Sequence, residues 1–241
     1  ITVFGQTVFL SEDFALGTLP VGWSQSTSAT DGGWLLGTNT SLQSPYWTIS
    51  SHGNFIATND DACDCDKSED YLITPSLDLT GVSSAALQFQ NYFNGGTLFG
   101  GTEIATVEFS LDNGMTWSIL QTIAGVDNDQ WDAQTVSLNS LAGNSNVMLG
   151  FHYFDDFNWL FGWAIDDVKV LEVTGMDLAL SSINVSSTPS TGSMNPITGV
   201  VTNIGTETIQ SFDLSWTIGG SVYTNNISGL SIPSLGSFNF S

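Results

Sequence analysis

Seven segments in the first two-thirds of the chain alternate apolar and polar residues with a period of two: 7–14, 84–93, 104–111, 117–123, 132–138, 146–154 and 163–173. A period of two sends successive side chains to opposite faces, so each segment suits a half-buried strand and none suits an amphipathic helix. Pro, Gly, Asn and Asp separate the segments and supply the turn chemistry that reverses a chain between strands. The pattern predicts an all-β, antiparallel, two-sheet sandwich. With 41% hydrophobic and 12% aromatic residues, the chain has enough apolar surface to bury a core.

The text changes near Thr174-Gly175, which predicts one domain over 1–174 and a second over 175–241. Beyond the boundary, strands are expected at 176–180, 197–203, 209–218 and 221–227, around a Ser/Thr/Pro-rich turn region. Their spacing is that of a small immunoglobulin-like sandwich, but the segment is shorter than the ~100 residues of a full one. A last strand is therefore expected to be missing. Either the natural protein continues beyond Ser241, or another chain adds the strand by β-augmentation. A first residue of Ile1 rather than Met suggests a processed chain or a fragment.

Charge narrows the function. Two lysines, no arginine and 24 acidic residues give a net charge of −22. Binding to nucleic acid displaces counterions with several Lys or Arg side chains, so that class is excluded. An anionic membrane surface repels such a chain, and no stretch reaches the ~18 apolar residues of a membrane span. Such a surface attracts metal cations. Most of the acids are expected to be solvated, with a few gathered around one or two ions.

Three acidic groups stand out. Glu12-Asp13 ends the first strand, the loop Asn59-Asp60-Asp61 to Asp70 is dense in carboxylates, and Asp166-Asp167 interrupts an otherwise apolar strand. Hard Ca2+ takes about six to eight oxygen ligands, and carboxylates from separate strands can supply them while the ion relieves their repulsion. The alternation Asp64, Asp66, Ser68, Asp70 resembles the start of an EF-hand loop, but it lacks that loop's Gly at the sixth position and Glu at the twelfth. Cys63 and Cys65 leave both a Cys-x-Cys disulfide and two thiols open.

Ser110-Leu111-Asp112-Asn113-Gly114-Met115-Thr116-Trp117 fits the Asp-box hairpin, in which the Asp caps backbone amides and the Trp packs beneath. The Asp box also occurs in sialidases, but those enzymes hold a substrate carboxylate with arginines, which are absent here. No nucleophile elbow, His-Glu-x-x-His site or phosphate-cradling loop is present, and no pair of carboxylates is singled out for glycoside hydrolysis, so no enzyme activity is expected. His152 lies in a strand pattern and reads as a structural, hydrogen-bonded histidine. The run from Phe157 to Trp163 is unusually aromatic. It reads first as the closure of one end of the core. The alternative is an exposed platform on which Phe157, Trp159 and Phe161 meet a ligand.

Several of these residues form an ordered set. Glu12-Asp13-Phe14, Leu19-Pro20-Val21-Gly22-Trp23 and Asp31-Gly32-Gly33-Trp34 resemble the opening of cleaved-adhesin domains, also called choice-of-anchor J domains. Asp70-Tyr71-Leu72-Ile73-Thr74-Pro75-Ser76-Leu77-Asp78-Leu79 is similar to their Trp-Leu-Ile-Thr-Pro signature, with Tyr71 in place of the usual Trp. The Asp-box hairpin and Gly162-Trp163-Ala164-Ile165-Asp166-Asp167-Val168 match in kind and order, so the resemblance covers roughly 9–173. That family is related to MAM domains and found in gingipain-type proteases and secreted Bacteroidetes proteins. The resemblance implies a jelly-roll sandwich with Ca2+ held by Glu12, Asp13, Asn59, Asp60, Asp61, Asp166 and Asp167. The inserted stretch from Asp64 to Glu69 departs from the family pattern. The tail around Val201-Thr202-Asn203 and Phe212-Asp213-Leu214 is similar to CARDB-like immunoglobulin modules, whose parent proteins often carry a type IX secretion signal.

The expectation is a calcium-stabilised, non-catalytic adhesion module of a secreted or cell-surface protein that binds a host or environmental protein or a glycan. Two alternatives stand beside it. One is a structural subunit that assembles with copies of itself by strand exchange, and the other is an accessory domain of a secreted protease or glycosidase.

Overall fold

The alternating segments form strands in a computed structural model, which describes residues 7–126, 129–173, 175–185, 197–218 and 220–241. The boundary residue Thr174 and most of the expected Ser/Thr/Pro turn region lie outside the described residues. The chain divides into two compact units, Thr7–Leu171 and one that contains Glu172–Ser241.

In chain order the first unit holds β1 (Val8–Glu12), β2 (Ser24–Ser26), β3 (Leu35–Thr38), β4 (Asn54–Asn59), β5 (Asp70–Ile73), β6 (Ala85–Tyr92), β7 (Thr97–Leu98), β8 (Gly101–Thr102), β9 (Ile104–Ser110), β10 (Ser118–Ile123), β11 (Asp132–Ser137), β12 (Met148–Phe154) and β13 (Gly162–Glu172). Two short α-helices, α1 (Asn39–Leu42) and α2 (Asp60–Cys63), and a 3-10 turn at Asn139–Leu141 interrupt them. One sheet runs β11-β6-β13-β4-β3, with β1 also on β13, and a second runs β10-β9-β12-β5-β2. Between the sheets lies a core that includes Phe14, Trp34, Leu72, Phe89, Phe151 and Trp163. Each of the seven segments expected from periodicity contains an observed strand.

β4 escaped that reading for a physical reason. Its burial is nearly continuous, because Ile56 faces the core while Phe55 and Ala57 pack on the outer face with Trp47, Tyr92 and Ala164. A strand covered on both sides shows no alternation.

β13 carries the feature that most affects the site. Trp163 and Ile165 point into the core, and so do Val168 and Val170. Those two pairs are out of phase unless one extra residue intervenes. Asp167, at φ 50°, supplies it as a bulge. At the bulge the edge partner also changes: Ile165 pairs with Ile56 of β4, and Val168 pairs with Glu12 of β1. Asp166 and Asp167 thus sit where β4 gives way to β1.

The second unit contains β14 (Leu178–Val185), β15 (Ile197–Asn203), β16 (Ile209–Ile218), β17 (Ser221–Ile232) and β18 (Ser237–Phe240). β14-β15-β18 form one sheet and β16-β17 another, with Phe212 and Phe238 in edge contact at 6.1 Å. β17 extends past the expected 221–227, and β18 was not anticipated. Phe238 and Phe240 pair with Val201 and Gly199 of β15.

The Asp-box hairpin has the expected construction. Asp112 accepts the Thr116 N–H at 2.9 Å and the Thr116 hydroxyl at 2.6 Å. Asn113 and Gly114 take positive φ at the turn. Trp117 lies so close over β12 that a Cβ at Gly150 would come within 2.9 Å of its ring.

Candidate functional site

The acidic residues singled out in the sequence fall into two groups. Asn59 pairs with Gly162, at the start of β13, and Asp166 lies four residues further on, about 13 Å along the strand at ~3.3 Å per residue. One group is Glu12, Asp13, Asp166 and Asp167. The other is Asn59, Asp60 and Asp61. The structure does not bring all seven to one ion.

In the first group, Asp166 is buried and accepts the Asp167 N–H at 2.8 Å. Burial pushes its carboxyl up to about 7, and the Asp167, Asp13 and Glu12 charges push the same way against that amide. Glu12 and Asp13 cap the turn after β1 by accepting the Phe14 and Ala15 N–H groups. His52 brings Nε2 to 3.4 Å from Asp167 Oδ2 and 3.7 Å from Asp166 Oδ2. Its ring stacks on Trp131 at 4.5 Å. Ligand atoms of His52, Asp166 and Asp167 all lie within 4.8 Å of one another. The Glu12 and Asp13 charges act on Asp166 from nearby, and carboxylate oxygens of this kind suit a hard divalent cation.

The second group builds a cleft instead. Asn59 caps α2 by accepting the Ala62 N–H at 2.9 Å, and its amide donates to the Leu42 carbonyl at 2.6 Å. Asp60 is buried and accepts the Leu160 N–H. Burial lifts its carboxyl to about 7. The Leu160 amide opposes the shift, and the nearby Asp155 charge adds to it. Glu103 Oε1 takes three donors, from Tyr153 OH at 2.7 Å and from the Phe161 and Gly162 N–H groups at 2.8 Å each. Asp155 accepts the Phe157 N–H at 2.9 Å and the Lys67 N–H at 2.7 Å. The Phe161 carbonyl accepts the Asp60 and Asp61 N–H groups. Buried acids therefore clamp the loop between β12 and β13 from several sides, and that loop holds Trp159.

The aromatic run divides along this loop. Leu160 and Trp163 are buried, and Trp163 donates its indole N–H to Asn91 at 2.7 Å. Phe161 is half-buried, while Phe157 is 72% exposed and Trp159 44%. Part of the run closes the core and part faces solvent. Trp159 meets two rings from other loops. Tyr46, from the connection between α1 and β4, stands at 86° to it and 6.0 Å away. Phe99, at the tip of the β7–β8 hairpin, lies parallel within 11° at 6.3 Å. Tyr46 and Phe99 are themselves 71% and 73% exposed. The hairpin is tied to the Trp159 loop: the Thr102 N–H donates to Asp156 at 3.2 Å, and a Cβ at Gly101 would strike Asn158 at 2.6 Å.

Together Tyr46, Asp61, Leu98, Phe99, Trp159 and Phe161 line a cleft of about 390 Å³. Periodicity could not reveal Tyr46 or Phe99. The available signal was the Leu98-Phe99 pair enclosed by glycines, an apolar dipeptide at a turn tip.

Lys67 is a buried cation. Its ammonium has no solvent exposure and donates to Asp31 at 2.9 Å, Asp70 at 3.2 Å and the Gly33 carbonyl at 3.3 Å. His152 is hydrogen-bonded as expected, with Nδ1 2.9 Å from Glu108 and Nε2 3.1 Å from the Ser68 carbonyl. Cys63 and Cys65 are joined in a disulfide.

No protein-family model matches the chain, and no curated protein matches it. Among solved structures it is similar to the K1 cleaved adhesin domain of Lys-gingipain from Porphyromonas gingivalis W83, at 21% identity over 68% of this chain and 97% of that one, with a TM-score of 0.47. The K3 cleaved adhesin domain of the same protein is 20% identical over 69% of this chain and 99% of its own, TM-score 0.48. The CBM22-1 xylan-binding domain of Paenibacillus barcinonensis Xyn10C is 10% identical over 69% and 95%, TM-score 0.43. At these values no residue correspondence passes from those proteins to this chain.

Proposed function

We propose that this chain is a non-catalytic binding module of a secreted or cell-surface protein, that a calcium ion braces its first unit, and that the cleft at Trp159 takes a glycan. The observation that carries the reading is the meeting of Tyr46, Phe99 and Trp159 from three separate loops, all exposed, with Tyr46 and Phe99 each in ring contact with Trp159. Large aromatics are ordinarily buried, and holding three at the surface on clamped loops leaves apolar area in water that a ligand can cover. Flat ring faces with one carboxylate suit a pyranose, which presents an apolar face and polar edges. Calcium would be held by Glu12, Asp13, Asp166 and Asp167, where it neutralises acids that otherwise repel. It has no part in any reaction.

The test is titration of the full chain with neutral and charged oligosaccharides, followed by calorimetry, beside a Trp159→Ala variant. Binding that Trp159→Ala abolishes, with its unfolding midpoint little changed, supports the cleft. A Trp159→Ala variant that binds the same sugars as tightly as the parent sinks this assignment.

A further inference from the structure

We propose that the glycan taken by the cleft carries free ammonium groups, that is, a chain of amino sugars; this rests on the glycan reading above. Three observations point to a cation. The charged side chain in the cleft lining is Asp61. Among the described residues, its Oδ2 accepts only the Tyr46 N–H, at 3.4 Å, and its Oδ1 accepts no hydrogen bond. The indole N–H of Trp159 is already committed to the Asp61 carbonyl at 3.3 Å, so it is not the donor that an anionic or acetylated sugar would need. The chain's cations lie elsewhere: Lys67 is enclosed by Asp31 and Asp70, and Lys169 is exposed on β13 opposite Ser11.

The ring geometry agrees. Tyr46 and Trp159 are perpendicular and Phe99 is parallel to Trp159, so the wall offers π-faces in two orientations. Such faces attract a cation seated within ~6 Å of a ring centroid, most strongly for Trp. Trp159 also borders a second cavity of about 240 Å³, lined by Asp60, Asp64, Asp66 and Asp155 with Phe157. Trp159 is thus a wall shared by an apolar cleft and an acidic one. An oligosaccharide laid across it would stack a sugar ring on the indole and present successive ammonium groups to the carboxylates lining both cavities. The net charge of −22 attracts such a ligand over distance and repels uronic or sialic acid chains.

The experiment compares three β-1,4-linked tetrasaccharides of the same length on the full chain in calcium, at mildly acidic pH and near-physiological salt. They are the glucosamine tetramer, its fully N-acetylated counterpart and the glucose tetramer. The charged tetramer should bind at least about tenfold tighter than either neutral one, the factor that ~1.4 kcal/mol represents. Asp61→Asn should lower the affinity for the charged tetramer several-fold more than that for either neutral one, and Trp159→Ala should lose all three. Equal affinities, or tighter binding of the acetylated tetramer, overturn the ammonium proposal and leave the glycan reading standing. Parental affinity of a folded Trp159→Ala for the charged tetramer also overturns it, because attraction then comes from the whole acidic surface. Failure of every tetramer to bind folded protein overturns both readings together.

Discussion

Replacing Asp166 by asparagine should change stability in opposite directions with and without calcium. Asp166 is only 3% exposed, and its carboxyl, ordinarily at 3.8, is lifted to about 7 by burial and by the Asp167, Asp13 and Glu12 charges. A carboxyl raised on folding binds its proton more tightly in the native state. The stability it contributes is therefore complete below about pH 4 and is lost as the pH climbs through about 7. At about pH 8 the ionised group costs the metal-free protein up to ~4 kcal/mol. Asp167 beside it is exposed, and solvent screening there cuts the realised cost to ~2 kcal/mol.

Asparagine has the same shape, can still accept the Asp167 N–H, and carries no charge. In excess EDTA at about pH 8, Asp166→Asn should be the more stable protein by ~2 kcal/mol, and the advantage should vanish near pH 4. That difference corresponds to roughly 4–8 °C in unfolding temperature. With calcium at about a hundred times its dissociation constant, the parent gains ~2.7 kcal/mol, most of which the variant forfeits, so the order reverses. Intrinsic fluorescence can follow the transition, because every tryptophan except Trp216 lies in the first unit. A variant less stable than the parent in EDTA at high pH would refute the repulsion argument. Equal stabilisation of both proteins by calcium would remove Asp166 from the ligand set.

Three further outcomes follow from the packing. Lys67→Met should cost ~3–5 kcal/mol, read as a fall in the urea midpoint, because it strips the fully buried Asp70 of the ammonium beside it; an unchanged midpoint would mean that Asp70 is paired by other groups. Gly150→Ala should cost ~1–3 kcal/mol, since its Cβ would meet the Trp117 ring at 2.9 Å. A neutral result by the same assay would show that the hairpin gives way freely. Replacing both Cys63 and Cys65 by serine should lower stability by no more than ~1.6 kcal/mol, because the cross-link joins residues only two apart and closes almost no chain. A larger loss would show that the bond holds α2 and the Lys67 turn in place.

Much of the fold was legible in the residues because half-buried strands announce themselves by alternation. Residues 104–111 and 146–154 read as strands and pair with each other as β9 and β12. β4 was illegible because both of its faces are covered, and β18 because four residues leave too short a period. The Asp box could be read down to its hydrogen bonds, since all of its partners lie within a few residues. The grouping of the acids was legible in part. Glu12 and Asp13 join Asp166 and Asp167 through the pairing of β1 with β13, but Asn59, Asp60 and Asp61 turned out to cap α2 and hold the Trp159 loop. Adjacency in a list of carboxylates does not tell which end of a strand each one occupies.

The sequence by itself determined the class of fold, through the period of its apolar residues. Through its lack of cations it also determined which ligands are repelled. Both are properties of the chain that survive any arrangement of its strands. Tertiary structure decided where the site is. Tyr46, Phe99 and Trp159 come together only because β4, β8 and β13 bring their connecting loops to one place, and Asp166 is buried beside Asp167, Asp13 and Glu12 only because β1 meets β13 where β4 leaves it. Those are distances between residues far apart in the chain, and no local pattern encodes them.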